Sequence, residues 1–204
     1  MKDKEIQKLI EKETKRQKGV INLIPSENYV SKDVLTALGS IFDNKYAEGY
    51  PHKRYYGGNP FTDELEVLCQ KRARKAFGLA EKTWSVNVQP HSGSPANLAV
   101  YLALVPLGGK IMGMTLTAGG HLTHGQKVSM TGKAWNQLPF GVNPKTESID
   151  YNALKAMAKK EKPNLIVAGF TAYPRMVDFK KFREIADTCG AFLMVDMSHV
   201  AGLV

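Results

Sequence analysis

Residues 163–197 contain two apolar runs, PNLIVAGF at 163–170 and AFLMVDM at 191–197, on either side of the charged segment DFKKFREIADTCG at 178–190. Each run has the length of a strand and is nearly all apolar, as in strands that are covered on both faces. The segment between them has the pattern of a helix that ends at Gly190. A strand, a helix and a strand in this order predict a parallel sheet, and therefore a fold of the α/β class.

The same alternation extends upstream to Trp84. Residues 115–147 are rich in glycine and lack a clear period, so irregular structure is expected there. The helix that follows should begin at Ser148 or Asp150, either of which can act as its N-cap. The further predicted elements are strands WSVNVQP at 84–90 and KIMGM at 110–114, and helices SGSPANLAVYLALV at 92–105 and SIDYNALKAMAKKEK at 148–162.

The first 80 residues are mainly helical in pattern and are expected to form an N-terminal arm before a larger domain at 81–204. The segment YAEGYPHKRYYGG, residues 46–58, has four tyrosines and one acid, Glu48, so it is too aromatic for an ordinary solvated loop. The other predicted elements are a helix through Ile6, Leu9, Ile10 and Glu13, an extended segment VINLIPSENYVS at 20–31 broken at Pro25, a helix capped by Ser31 or Asp33 and running through Leu38, and a helix NPFTDELEVLCQKRARKAFG at 59–78.

The composition describes an ordinary globular protein of 204 residues, with 43% apolar and 23% charged residues. No apolar run approaches the roughly 18 residues that a membrane span requires, and the charged N-terminus lacks the apolar centre of a secretory signal. Cys69 and Cys189 are far apart in sequence and resemble free thiols of a reducing compartment. We therefore expect a cytoplasmic protein that has no membrane partner.

The net charge of +9 raises the question of a nucleic acid partner. Most basic residues lie on predicted helices and are interleaved with acids or apolar positions, which favours solvated helix faces. The sequence contains no RNP motif, zinc finger or aromatic-basic repeat. Nucleic acid binding is therefore not expected, whereas an anionic small ligand would suit the excess of positive charge.

The segment SGSPAN, residues 92–97, follows the predicted strand at 84–90 and opens a helix. Ser94 is the expected N-cap and Pro95 the expected first helical residue. Ser92, Gly93 and Ser94 would then place hydroxyl and backbone N–H groups around a helix N-terminus, which suits a phosphate. The alternative is a capped helix with no ligand.

The segment GGHLTHG, residues 119–125, holds His121 and His124 three positions apart. Neither an HExxH motif nor a cysteine partner accompanies them, so we predict no metal site. The segment also lacks the Lys-Ser or Lys-Thr pair of a P-loop, which excludes a nucleoside triphosphate site. The glycines would instead let the backbone approach a ligand while one imidazole stacks on it.

The segment VDMSH, residues 195–199, places Asp196 at the carboxyl end of an apolar strand, with His199 three residues later. A carboxylate there either caps the following turn or faces a protonated ring nitrogen of a ligand. Thr171 ends the preceding predicted strand and can offer a hydroxyl to the same ligand. A phosphate, a ring that can be stacked and a basic ring nitrogen describe pyridoxal phosphate. A dinucleotide fits less well, because no G-x-G-x-x-G follows a strand.

Five long motifs follow one another along the chain. They are LIPSENYVS at 23–31, NKYAEGYPHKRYYGG at 44–58, VNVQPHSGSPAN at 86–97, GGHLTHG at 119–125 and VDMSHVAGLV at 195–204. In this order they give the chain its resemblance to the N-terminal half of the serine hydroxymethyltransferase family. The resemblance implies the large domain of a pyridoxal phosphate-dependent transferase, with an incomplete parallel-type sheet preceded by a helical arm.

The resemblance also implies a role for individual residues. Around the cofactor, the phosphate would be held by Ser92, Gly93 and Ser94, the pyridine ring would stack on His121, its nitrogen would pair with Asp196, and its phenolic oxygen would lie near Thr171 and His199. Around the substrates, the amino-acid carboxylate would be held by Ser26 and Tyr46, and folate would be approached by Leu116, Gly120 and Leu122. Tyr55 would be a further substrate-binding residue. The catalytic residues would be Glu48, as the acid–base carboxylate, with Tyr56 and His199.

In this family the tyrosine-rich loop lies at a dimer interface, so the resemblance implies a homodimer or a dimer of dimers. The activity implied is the reversible interconversion of serine and glycine with tetrahydrofolate. Two alternatives remain open: a related aldolase that acts without folate, and a non-catalytic half-chain that binds a partner or RNA.

Three positions depart mildly from the family pattern: Thr171 replaces a usual Ser, Ser198 a usual Ala and Ala118 a usual His. The family's Schiff-base lysine has no counterpart in these 204 residues. We therefore expect an incomplete family chain, which by itself does not form the covalent link to the cofactor and is poorly soluble or depends on a partner.

Overall fold

The structure of the protein, a computed structural model, describes residues 1–203. They form two compact units, one at Met1–Val88 and one that begins at Gln89. The N-terminal unit contains three α-helices, one short 3-10 helix at Ile41–Asn44 and a short hairpin. Residues 20–31 contain neither helix nor strand, and the predicted break at Pro25 is confirmed by a turn in which the Glu27 N–H donates to the Ile24 carbonyl at 3.2 Å. Its elements are α1 at Lys4–Lys18, α2 at Lys32–Leu38, β1 at Gly49–Tyr50, β2 at Lys53–Arg54 and α3 at Pro60–Ala76.

The predicted helices of the N-terminal unit are confirmed, and their ends follow capping chemistry. Ser31, one of two predicted caps of α2, accepts a hydrogen bond from the Val34 N–H. Pro60 is the first residue of α3, where its missing N–H leaves no intrahelical bond unmade. The last turn of α3 carries Arg74 and Lys75, which suits the negative end of the helix dipole.

The tyrosine-rich loop is built around a buried arginine that the sequence analysis did not single out. The Arg54 guanidinium donates to the Ala47 and Gly49 carbonyls at 2.8 and 2.6 Å. It also donates to Asp63 at 2.8 Å and to Glu66 at 2.6 Å, both on α3. Because Ala47 and Gly49 flank Glu48, one planar donor group fixes the backbone on both sides of that carboxylate and ties it to α3.

Replacing Arg54 by lysine should loosen this loop. Lysine keeps the charge but lacks the planar fork, so it cannot reach all these acceptors together. Losing the two carbonyl contacts should speed amide hydrogen exchange at residues 47–57 on the order of tenfold. The matched control is Arg74→Lys, because Arg74 pairs with the exposed Glu81 outside the loop. Equal exchange in the loop of wild type and Arg54→Lys would contradict this role.

The second unit has the predicted parallel sheet, flanked by helices. All three strand pairings are parallel, in the order β4-β3-β5-β6. This confirms the α/β class and the predicted strands at 110–114, 163–170 and 191–197. The elements are α4 at Gly93–Leu104, β3 at Lys110–Met114, α5 at Met130–Ala134, β4 at Asn136–Phe140, α6 at Tyr151–Glu161, β5 at Leu165–Ala168, α7 at Phe179–Cys189 and β6 at Phe192–Val195.

Two predictions about secondary structure were wrong. Residues 84–90 are not a strand, because they join neither edge of the described sheet and a strand exists only as part of a ladder. Residues 136–140, NQLPF, do form a strand within the segment expected to be irregular. Polar side chains and Pro139 hide that strand from pattern analysis, and they are compatible with its place at the edge of the sheet.

The core lies on both faces of the sheet. On one face Met112 and Ile166 pack with Leu154 of α6 and with Phe182 and Ile185 of α7. On the other face the packing residues are Tyr101, Val105, Ile111, Trp135, Leu165 and Val167. Asp150 caps α6, as one of the two predicted alternatives, and Gly190 ends α7 in the left-handed conformation, as predicted.

The two late strands differ in burial, although both were expected to be covered on both faces. Every residue of β5 is fully buried. In β6, Phe192 is 52% and Val195 is 41% exposed. The expectation is therefore wrong for β6, because β6 is an edge of the described sheet and β5 is internal.

Candidate active site

The carboxyl ends of the strands open into one cavity of about 220 Å³. The loop after β5 is held beside the loop after β3, because the Thr171 N–H donates to the Gly119 carbonyl at 2.8 Å. Ligands of α/β folds bind at this edge of the sheet. The cavity is lined by Ser92, Gly93, Ser94, Asn97, His121, His124, Phe170, Thr171, Asp196, Ser198 and His199.

The cavity gathers residues that are up to about a hundred positions apart in the chain. All seven residues predicted to hold a cofactor line it: Ser92, Gly93, Ser94, His121, Thr171, Asp196 and His199. The loops after β3, β5 and β6 and the start of α4 therefore meet at one cavity. From the sequence, these segments were connected only by the expectation that they bind the same ligand.

Asp196 extends β6 by one ladder bond, from its N–H to the Ala168 carbonyl at 2.9 Å. Gly169 lies beside it, and a Cβ at that position would collide with the backbone oxygen of Asp196. Glycine at 169 therefore permits the close approach of the two strand ends that sets the position of the carboxylate.

The Asp196 carboxylate accepts four hydrogen bonds. Oδ2 lies 2.9 Å from His124 Nε2 and 2.9 Å from Asn97 Nδ2. Oδ1 accepts from the Ser198 N–H at 3.2 Å and from the Ser198 hydroxyl at 2.6 Å. The hydrogen bond from His124, against the opposing effect of burial and with help from Ser198 and Asn97, holds the pKa of Asp196 far below its usual range. Both readings of Asp196 thus have support, since it caps the next turn through Oδ1 and stays ionised in the cavity.

Two residues of this cluster, Asn97 and His124, were not assigned a role from the sequence. His124 is 1% and Asn97 is 8% exposed, which is rare for polar side chains unless they are hydrogen-bonded. Asn97 also donates to Thr123 Oγ1 at 2.9 Å, so two acceptors fix its amide. An isolated amide in the apolar run ANLAVYLALV was the available signal for Asn97. The spacing of His121 and His124 raised a metal site and the stacking of one imidazole on a ligand, but neither hypothesis predicts the contact of His124 with Asp196.

The start of α4 differs by two residues from the prediction. The N-cap is Ser92 rather than Ser94, and Gly93 rather than Pro95 is the first helical residue. The Ser92 hydroxyl makes no capping hydrogen bond. Ser92, Gly93 and Ser94 therefore line the cavity at the positive end of the helix dipole, as an anion site requires.

His121 lies at the cavity wall with its ring held by a neighbour. Its Nδ1 accepts from the Thr123 N–H at 3.2 Å, and its ring centroid is 5.6 Å from that of His124. Burial, followed by the charge of His124, holds the pKa of His121 below its ordinary value. The imidazole is therefore mainly neutral at pH 7, which favours contact with an aromatic face.

The other predicted site residues lie outside this cavity. Leu116 and Leu122 are exposed, and each begins a short 3-10 helix after β3. Gly120 has a structural role, because a Cβ there would collide with the Met114 carbonyl oxygen. The predicted residues of the N-terminal unit are all exposed in it: Ser26, Tyr46, Glu48, Tyr55 and Tyr56. Tyr46 and Tyr56 pack edge to face with centroids 4.9 Å apart.

Residues 1–203 show neither a membrane-spanning helix nor a cluster of metal ligands. No helix described there is long and apolar enough to cross a membrane. Within the same residues, no group of three or more His, Cys, Asp or Glu side chains is arranged to hold a metal ion.

The family model of serine hydroxymethyltransferase matches residues 1–204. The chain belongs to the serine hydroxymethyltransferase family. A curated relative named serine hydroxymethyltransferase, from Coprothermobacter proteolyticus, is 55% identical over 202 residues. That alignment covers 99% of this chain and 48% of the relative, so the chain spans about half the length of the curated relative it matches.

The family implies pyridoxal phosphate, and the residues of the cavity fit that group. The start of α4 offers donors to a phosphate, with a Ser92 hydroxyl that capping does not use. Asp196 offers an ionised carboxylate to a protonated ring nitrogen. His121 offers a neutral ring at the cavity wall. In this chain these three features meet in one cavity.

The hydrogen bonds to Asp196 predict a pH dependence of stability. Because the folded-state pKa lies below the unfolded-state value of about 4, the stabilisation is complete above that value and is lost as the pH falls below it. The free energy of unfolding, measured with urea between pH 5 and 3, should therefore fall more steeply with falling pH in wild type than in Asp196→Asn. The difference in slope should correspond to the uptake of up to about one proton on unfolding. Parallel slopes in the two proteins would contradict the lowered pKa.

Proposed function

We propose that this chain forms part of an enzyme that interconverts serine and glycine with tetrahydrofolate and uses pyridoxal phosphate. The observation that carries the proposal is the convergence of the α4 N-terminus, His121 and Asp196 in one cavity of a chain of this family. The experiments below use a protein of the same length as the curated relative, in which residues 1–204 form the N-terminal half. We call it the family-length protein.

The cavity residues would bind and orient the cofactor. Ser92, Gly93 and Ser94 would hold its phosphate, and His121 would lie against its ring. Asp196 would keep a proton on the ring nitrogen, while Thr171 and His199 would contact the phenolic oxygen. When bound, pyridoxal phosphate supplies an electron sink for negative charge on the α-carbon of the amino acid.

The N-terminal unit would supply the residues that handle the substrates. Glu48 would move the proton at the hydroxymethyl group, and its backbone is fixed on both sides by Arg54. Exposed, amphipathic tyrosines suit a surface that contacts both substrate and a partner chain. We therefore also propose a homodimer, and the free thiols of Cys69 and Cys189 support the proposal that it lies in the cytoplasm. The remaining proposed contacts are Ser26, Tyr46 and Tyr55 to the amino acid, Tyr56 as a further catalytic residue, and Leu116, Gly120 and Leu122 to folate.

The test of this function is the conversion of serine to glycine by the purified family-length protein. Conversion should require both pyridoxal phosphate and tetrahydrofolate. Cleavage of serine at the same rate without tetrahydrofolate would indicate a folate-independent aldolase instead. Salt-sensitive RNA binding without any conversion would indicate a non-catalytic binding protein.

A further inference from the structure

We propose that the Ser198 hydroxyl is a displaceable hydrogen-bond donor, which occupies Asp196 in the free protein and gives up that place to the ring nitrogen when the cofactor binds. Ser198 would thereby set the affinity for the cofactor as a positioning residue of Asp196. The inference rests on the proposed function, because it assumes that the ligand of this cavity carries a protonated ring nitrogen.

The acceptor sites of the Asp196 carboxylate are all in use. An ionised carboxylate has about four lone-pair sites for hydrogen bonds. Asp196 already receives four donors, from His124, Asn97 and both the N–H and the hydroxyl of Ser198. A further donor from a ligand therefore has to replace one of these four.

Three of the four donors are fixed by the fold. His124 is buried, and the Asn97 amide is held between Asp196 and Thr123. The N–H of Ser198 belongs to the backbone of the turn after β6 and moves only with that turn. Removing any of these three from Asp196 would disturb packing or backbone that other contacts depend on.

The Ser198 hydroxyl is the donor that can move. The residue is exposed and lines the cavity, and rotation about one side-chain bond takes the hydroxyl off the carboxylate. A Cβ built on Gly93 would lie 3.6 Å from Ser198 Oγ, so the glycine leaves open the space beside the hydroxyl. The hydroxyl thus stands on the side of Asp196 that a ligand approaches.

The Ser198 hydroxyl and the ring nitrogen of the ligand therefore compete for Asp196, and removing the hydroxyl should raise the affinity for the ligand. In wild type, binding breaks the bond between Ser198 and Asp196 as the ring nitrogen makes its own. In Ser198→Ala that bond is absent beforehand, so the ligand should bind more tightly. One net hydrogen bond corresponds to an increase in affinity of between about twofold and tenfold.

The experiment uses the cofactor-free, family-length protein and pyridoxine phosphate, which has no aldehyde and so binds without a covalent link. Dissociation constants are measured by calorimetry for wild type, Ser198→Ala and Ser198→Thr. A second ligand, with carbon in place of the ring nitrogen, is measured in parallel. The matched control is Ser129→Ala, because Ser129 caps α5 outside the cavity.

The expected result is tighter binding of pyridoxine phosphate by Ser198→Ala, with no such gain for the ligand that lacks the ring nitrogen. Ser198→Thr, which keeps a hydroxyl, should bind like wild type, and Ser129→Ala should change neither ligand. Equal or weaker binding of pyridoxine phosphate by Ser198→Ala would overturn the inference. Failure of wild type to bind pyridoxine phosphate or pyridoxal phosphate would overturn the proposed function itself, and the inference with it.

Discussion

Asp196→Asn should lower the rate of serine-to-glycine conversion by the family-length protein by about 10³-fold or more, the upper range for removing one preorganised electrostatic contact. The carboxylate is held ionised by its four donors, and a neutral amide cannot keep a proton on a ring nitrogen. The substitution also places a hydrogen-bond donor where the site already provides donors. The amide N–H₂ would face either His124 and Asn97 or the N–H of Ser198, all of which donate.

The measurement is kcat/KM for serine in the presence of tetrahydrofolate, together with the cofactor content of each protein. Asp196→Glu retains the charge and should recover part of the rate. Asp150→Asn is the matched control, because Asp150 caps α6 away from the cavity and asparagine is an equally good cap. Near-normal turnover by Asp196→Asn with full cofactor content would show that the role assigned to Asp196 is wrong.

Glu48→Gln should slow tetrahydrofolate-dependent conversion by about 10²–10⁴-fold, the usual contribution of a general acid–base group. Glutamine has nearly the same shape but cannot carry the proton, so serine binding should be unchanged. The motivation is a single acid in an aromatic loop, whose backbone is clamped on both sides by Arg54.

Serine binding and turnover are measured separately in this experiment, by spectroscopic titration of the cofactor-loaded protein and by steady-state rates. Glu64→Gln is the control, since Glu64 lies exposed on α3 in the same unit. Equal losses of serine binding and of turnover in Glu48→Gln would indicate a structural glutamate rather than a proton carrier.

The elements that periodicity predicted best are those whose pattern follows from burial. The internal strand β5 is fully buried and entirely apolar, and α7 has a clear amphipathic pattern with a glycine stop. The strand β4 lies at the edge of the sheet and pairs only with β3, so Pro139 and polar side chains are tolerated in it. Because these residues are untypical of strands, the sequence pattern did not predict β4. Residues 84–90 show the opposite error, since they have a strand-like pattern but are in no strand pairing of residues 1–203.

For the candidate site, sequence analysis found the residues that follow strands or open helices, such as Ser92 and Asp196. It missed His124 and Asn97, whose contact with Asp196 joins positions far apart in the chain. It also missed Arg54, because nothing in the sequence distinguishes this buried arginine from the basic residues on the surface. Spacing along the chain indicates which residues lie at the sheet edge, whereas the partners of a buried polar group depend on tertiary packing.

The central claim is that the cavity at the sheet edge holds pyridoxal phosphate between the start of α4 and Asp196. A crystal structure of the family-length protein with this cofactor tests it most directly. We predict that the phosphate accepts hydrogen bonds from Ser92, Gly93 and Ser94, and that the ring nitrogen lies about 2.7–3.2 Å from an Asp196 oxygen. A phosphate bound away from the α4 N-terminus, or a ring nitrogen that faces a residue other than Asp196, would contradict the claim.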